Sequence, residues 1–262
     1  MKIRFFTAVF FLSGLALNAA AAGHGAPKHK MPNPVSAVAA STPAAQGLPL
    51  LSPPTGPVTV EMVISRFEQF DAKVNTLSAN FRQGVRMDES GVDQSVEGAL
   101  EYHKPNLLRI EHRLPESQTI VADGTWLWVW RKDSNQVVQT RLEDWKKSEP
   151  LAEGLLDFGN YSKLLKTYDV SIATVSAPGP DGHARFELLL KPKDKTAAFS
   201  LTMQMTTADF FPTQTELRAG SILARTVFTD IRYNPAIPEA RFKFTPPPDA
   251  DVFQNFKPPK TE

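Results

Sequence analysis

From Leu77 onward the chain repeats one pattern that leaves few folds open to it. Leu77, Ala79, Phe81, Val85 and Met87 fall on one side, and Ser78, Asn80, Arg82 and Arg86 on the other. A period of two turns successive side chains to opposite faces of a strand. The pattern returns at Val96, Gly98, Leu100 and Tyr102 against Glu97, Glu101 and His103, and again at Phe199, Leu201, Met203 and Met205 against Ser200, Thr202, Gln204 and Thr206. Strands with one wet face belong to antiparallel sheets, because parallel sheets are covered on both sides. Turn signals at Glu89-Ser90-Gly91, Asp123-Gly124, Asp133-Ser134-Asn135, Pro178 to Gly182 and Ala219-Gly220 divide the chain into roughly ten short strands.

Two stretches depart from this period. Thr59 stands as a helix N-cap before Glu61, with Met62, Val63, Arg66, Phe67, Phe70 and Val74 at helical spacing, so a helix ending near Asn75 is predicted. Between Pro150 and Tyr168 the apolar residues Leu151, Leu155, Leu156, Phe158, Leu164 and Leu165 are again spaced for one helical face. The expected fold is mostly β with a helical lid, of the α+β class. A large, strongly curved antiparallel sheet carries the first helix and the middle segment over its concave side.

The N-terminus reads as an export signal over residues 1–22, with Lys2 and Arg4, an apolar run from Phe5 to Leu17 and small residues from Ala19 to Ala22. A retained membrane anchor is the competing reading. Residues 23–57 are rich in Pro, Ala, Ser and Gly without apolar periodicity and are expected to form a disordered tail. Residues 58–256 form one expected domain, followed by a short C-terminal tail over 257–262. There is no cysteine, so neither a disulfide nor an acylated N-terminal cysteine is possible. With 29 basic and 28 acidic side chains, the balance offers no field for nucleic acid.

Signals for catalysis are weak. His24 and His29 lie in the tail, His103 and His112 form no metal-ligand spacing, and these histidines are expected to be solvated. Nucleophile-elbow, phosphate-loop and dinucleotide motifs are missing. Neither an enzyme activity nor a metal or cofactor is expected, although carboxylates meeting across two strands would escape this reading. Apolar side chain is abundant instead. Trp126, Trp128 and Trp130 alternate along one strand and share a face, with Leu127 and Val129 opposite. A central strand buried on both sides would explain them. So would an apolar cavity, which the Leu201, Met203, Met205 stripe also favours, because methionine adapts to variable apolar partners.

The order of motifs resembles the LolA family of periplasmic lipoprotein carriers over roughly Val58 to Val252. Leu77-x-Ala79-x-Phe81-x-Gln83 is followed by Gly98-x-Leu100, Lys104-Pro105-Asn106-Leu107-Leu108-Arg109, Ile120-Val121-Ala122-Asp123-Gly124, Leu127-Trp128 and Gln136-Val137. Phe242-Lys243-Phe244-Thr245-Pro246-Pro247 and Asp251-Val252 stand near the end. The resemblance implies an unclosed β-barrel with a helical lid. It also implies a periplasmic protein that takes acylated lipoproteins from an inner-membrane ABC exporter to an outer-membrane receptor. A lipid-binding sensor, or a shuttle for another amphiphilic lipid, would use the same fold.

The expected cavity residues are Phe81, Val85, Leu100, Tyr102, Leu108, Ile110, Trp126, Trp128, Trp130, Leu201, Met203 and Met205, with Leu107 and Arg109 facing away. The expected lid residues are Leu151, Leu155, Leu156 and Phe158. Lys104 stands where many members of the family have an arginine that bonds the lid, so it is expected to latch backbone carbonyls between Pro150 and Phe158. The chain is expected to act as a monomer.

Overall fold

The structure, a computed structural model, describes residues 51, 54, 56–88, 91–148, 154, 156–180, 182–195 and 197–254. The signal-like segment, most of the Pro-rich tail, Pro150, Leu151, Leu155 and the C-terminal tail lie outside the described residues.

Helix α1 (Val60–Lys73) opens on Thr59, whose hydroxyl accepts from the Met62 N–H at 3.2 Å. Val63, Phe67, Phe70 and Asp71 are its buried face, the spacing of an amphipathic helix laid on a core. It ends where Val74 turns extended and its N–H returns to the Phe70 carbonyl.

Among the described residues twelve strands follow: β1 (Thr76–Met87), β2 (Val92–His103), β3 (Leu107–Leu114), β4 (Gln118–Asp123), β5 (Trp126–Arg131), β6 (Gln136–Arg141), β7 (Tyr168–Val175), β8 (Arg185–Pro192), β9 (Phe199–Thr206), β10 (Asp209–Ala219), β11 (Ile222–Tyr233) and β12 (Asp251–Gln254). Helices α2 (Leu142–Ser148) and α3 (Tyr161–Leu165) join β6 to β7, and a 3-10 turn spans Glu239–Phe242. All strands form one sheet in the order β12-β6-β5-β4-β3-β2-β1-β11-β10-β9-β8-β7. Its edges, β7 and β12, do not pair with each other, so the barrel is unclosed. Every pairing is antiparallel except β12 on β6, which is parallel and departs from the wholly antiparallel sheet expected.

The predicted alternation holds in the pairing of β1 and β2. Leu77 lies opposite Tyr102, Ala79 opposite Leu100 and Phe81 opposite Gly98, all on the concave face. Gly98 is required there, because a Cβ would stand 2.3 Å from the Glu111 carbonyl and 2.6 Å from the Phe81 ring. Leu51, from the end of the tail, is buried in the same core.

The convex face is dressed differently on its two halves. Over β8 to β11 it is polar, as in the Arg218 and Arg225 pair on Glu216. Over β3 to β6 the C-terminal segment crosses it and buries Phe242 with Val121 and Val137 in a second, small core. Arg241 fixes that segment by bonding Glu101 at 2.8 Å, while Arg109 donates to the Arg241 carbonyl at 3.2 Å.

Gly98→Ala should lower stability by about 1 to 3 kcal/mol, because both the Phe81 ring and the β3 backbone must move. Urea unfolding of the variant checks this. An unchanged midpoint would mean that β3 and the ring give way without cost.

Candidate functional site

The concave face is apolar along most of its width. Phe81 and Val85 come from β1, Leu100 and Tyr102 from β2, Leu108 and Ile110 from β3, and Leu201, Met203 and Met205 from β9. All nine are buried. Leu107 and Arg109 point the other way, and Arg109 pairs with Glu111 at 2.7 Å. Ile120, Leu127, Phe186, Leu188, Leu190 and Ala224 complete the same core.

What covers this face is largely aromatic. Phe67 of α1 meets Tyr161 of α3 at 5.9 Å and Phe210 at 6.1 Å between ring centroids, both edge to face. Phe158 contacts Tyr102, Tyr161 and Phe211, and Phe211 continues to Phe228 and Tyr233. Phe210 and Phe211 are consecutive, yet both are buried. A register irregularity between Asp209 and Gln214 breaks the two-residue period and turns both rings inward. Leu156 and Phe158 are the expected lid residues within the described part, and both are buried.

The cover is tied to one rim by a compact polar cluster. Asp71, near the end of α1, accepts from the backbone N–H groups of Tyr161 and Ser162 at 3.2 and 2.8 Å, which caps α3. Burial raises its carboxyl above the ordinary value, and the bonds from Ser162 and Tyr161 oppose that rise. The Tyr102 hydroxyl donates to Asp157 at 2.8 Å, and Asn160 donates to the same carboxylate oxygen at 2.7 Å. Burial, then the Asp157 charge, push the Tyr102 phenol well up and keep it protonated. Lys104 Nζ donates to the Asp71 backbone carbonyl. Gly159 packs against the Lys104 stem and the Tyr102 ring, where a Cβ would stand 3.1 Å from Lys104 Cε and 3.3 Å from Tyr102 Cε1.

The latch therefore differs from the one expected. Lys104 bonds a carbonyl in the last turn of α1, where helix carbonyls lack internal partners, and its stem packs against Gly159, whereas Pro150 and Leu151 of the expected partner segment lie outside the described residues. Asp71 then passes the connection on to α3.

The tryptophans are also placed otherwise. Leu127 and Val129 turn to the concave core, and Trp126, Trp128 and Trp130 lie half-buried on the convex face. Trp128 and Trp130 pack on Phe244 at 5.6 and 6.0 Å, and Trp128 Nε1 donates to Asp123 at 2.8 Å. Arg141 covers Trp126, and Lys132 covers Trp130. The strand is apolar on both faces, so alternation could not say which one the helices cover.

His112 was expected in solvent and is buried on the concave face beside Phe81, their rings 5.8 Å apart. Among the described residues no group of three His, Asp or Glu side chains could hold a metal ion.

The profile of the family described as "Outer membrane lipoprotein carrier protein LolA" matches residues 72–245. The chain belongs to the LolA family. A relative named outer-membrane lipoprotein carrier protein from Hahella chejuensis (strain KCTC 2396) is 31% identical over 69% of this chain and 83% of its own. One of the same name from Pseudomonas fluorescens (strain Pf0-1) is 28% identical over 73% of this chain and 88% of its own. Among solved structures, an uncharacterized conserved protein from Thermus thermophilus aligns over 74% of this chain and 98% of its own at 14% identity, with a TM-score of 0.47.

Within this LolA-family chain, the residues that sequence reasoning missed are Asp71, Asp157, Tyr161, Phe210, Phe211 and Phe228. Asp71 had a signal, because a carboxylate on the apolar face of an amphipathic helix needs a buried partner. The two adjacent phenylalanines had none that a period of two could expose.

Trp128→Ala should cost about 2 kcal/mol of stability by opening the convex core while leaving uptake of an apolar fluorescent probe unchanged. Weakened probe uptake would return the tryptophan to the concave site. Burial lowers the His112 pKa from 6.5 to about 4, against the opposing bond to Gln118. The unfolded ring takes up its proton first, so this residue's contribution is present above pH 6.5 and is lost as pH falls toward 4. That loss amounts to about 3 kcal/mol. Urea unfolding of the wild type and of His112→Phe across this range should give a flatter profile for the variant, and parallel profiles would contradict the assignment.

Proposed function

We propose that this chain is a periplasmic carrier. It holds the acyl chains of lipoproteins against its concave face and moves them from an inner-membrane ABC exporter to an outer-membrane receptor, without catalysis. Membership of the LolA family and the names of its relatives support this reading. The observation that carries it is the arrangement of the apolar concave face, covered by α1 and an aromatic segment and tied at one rim through Lys104, Asp71, Tyr102 and Asp157.

Acyl chains gain about 0.8 kcal/mol per methylene on leaving water, so a lipid anchor crosses the periplasm only under cover. In the closed arrangement the concave residues are already buried against Phe67, Phe158, Tyr161 and Phe211. Cargo must exchange those contacts for its own, and only the difference appears as affinity. A carrier built this way binds firmly enough to cross water and weakly enough to let go. The polar rim sets part of that balance, because the Lys104 bond is made when the cover is closed and is broken when cargo lifts it.

A reconstituted assay that moves a triacylated lipoprotein from carrier to outer-membrane receptor tests the reading. The wild type should load and deliver. A wild type that takes up no acylated protein would remove the carrier function. Lys104→Leu should load as well or better and release about tenfold more slowly, since a charge-assisted bond in a partly buried place contributes about 1.5 kcal/mol. Release at the wild-type rate would dismiss the latch and leave the carrier standing.

A further inference from the structure

Two polar atoms on the concave face lack a partner among the described residues. Gln83 of β1 is buried and its Nε2 donates to Thr226 Oγ1 of β11 at 2.9 Å, while its Oε1 is enclosed without a hydrogen bond. His112 of β3 is buried and bonded to Gln118 of β4, and its Nε2 is enclosed in the same way.

Register places both on the face that the helices cover. Gln83 lies opposite Val96 and Thr226, between Phe81 and Val85 along its strand. His112 lies opposite Gly98 and Gln118, two residues on from Ile110. The Phe81 ring reaches over Gly98 toward His112, and Gln83 is the next residue on the same face of β1.

A buried polar group without its hydrogen bond is costly. Leucine or valine at either position would have continued the apolar stripe. The two atoms also ask for the same chemistry. The Gln83 Oε1 can only accept. The His112 ring is neutral when buried and carries one N–H; with that proton on Nδ1, where the interaction with Gln118 favours it, Nε2 presents a lone pair.

We infer that Gln83 and His112 form a polar station within the acyl-chain site that accepts hydrogen bonds from hydroxyl or amide N–H groups on an otherwise apolar cargo. This rests on the carrier reading and narrows its ligand class. Cargo with a donor at the right depth satisfies one of the two acceptors and itself, whereas a plain hydrocarbon chain leaves both acceptors unmet. The station therefore selects among amphiphiles of equal length, which an apolar wall does poorly.

The test uses the full chain and displacement of phenylnaphthylamine fluorescence by three ligands. These are methyl stearate, methyl hydroxystearate and N-stearoyl glycine methyl ester. The wild type should prefer one or both donor-bearing ligands over methyl stearate by about tenfold, and the hydroxyl and amide arms tell which donor it takes. Gln83→Leu and His112→Phe should each reduce that preference severalfold, and the double variant should abolish it, so that it no longer ranks the donor-bearing ligands above methyl stearate. Circular dichroism confirms that the variants fold, and the wild-type comparison stands even if one does not. Equal displacement by all three ligands in the wild type means that trapped water serves the two acceptors. That overturns the inference and leaves the carrier reading. Displacement by none overturns both.

Discussion

A curved sheet that turns an apolar face inward and does not close on itself must have that face covered. Every other feature of this chain answers to that constraint. A closed barrel removes its edges by pairing them, but here β7 and β12 stand at opposite ends of one twelve-stranded sheet. The concave surface is therefore sealed by side chains from outside the sheet. Phe67 and Phe70 of α1 and the rings of Phe158 and Tyr161 supply the seal, and Phe211 and Phe228 meet them from the strands. Each large apolar side chain so buried contributes about 2 kcal/mol, so the cover is held mainly by area. Area is also what an acyl chain can replace, whereas it cannot replace a directional bond.

That division explains why the rim is polar. Lys104, Asp71, Tyr102 and Asp157 bring hydrogen bonds to one place, where β2, the end of α1 and the start of α3 converge. Such bonds fix geometry more than they add stability, because each net contribution is about 1 kcal/mol. On the proposed carrier reading, the aromatic rings would slide apart over cargo while the rim defines where the cover returns. Asp71 serves two neighbours at once, with its carboxylate on the α3 backbone and its own carbonyl on Lys104. A shift of α1 therefore moves both.

Much of this was legible in the alternation alone. Period two gave β1, β2 and β9 with the right faces inward, because each has polar residues on its other face that forbid the opposite choice. β5 offered no such contrast, and Trp126, Trp128 and Trp130 were assigned inward when they belong to the convex core under Phe244. The edge strand β12 and its parallel pairing to β6 were invisible because four residues, all exposed, show no alternation of buried and exposed positions. The irregularity that buries Phe210 and Phe211 together is a break in periodicity, and a break is read from sequence as the end of a strand. The family resemblance pointed to a bond from Lys104 to a helix carbonyl, and Lys104 bonds one, on α1. Which carbonyl was not legible, because a backbone carbonyl has no identity in a sequence, and any exposed helix end within reach would have served.

The two halves of the sheet are unequal in a way that bears on how cargo fits. Over β3 to β6 the backbone is packed on both faces, with Ile110 and Ile120 inside and Val121, Val137 and Phe242 outside, so these strands are held between two cores. Over β8 to β11 only the concave face is packed, and the convex face is left to ion pairs such as Arg225 with Glu216. Exposed pairs of that kind restrain little. Met203 and Met205 lie in this second half, and their unbranched side chains refill a changing space more readily than β-branched isoleucine does. The first half therefore behaves as a fixed wall that carries Lys104 and the convex strap. Among the described residues the second half has no such outer core to hold it. On the proposed carrier reading, a site that admits acyl groups of different length and number would need that asymmetry, because a site adaptable on every side would lose the register of its own cover.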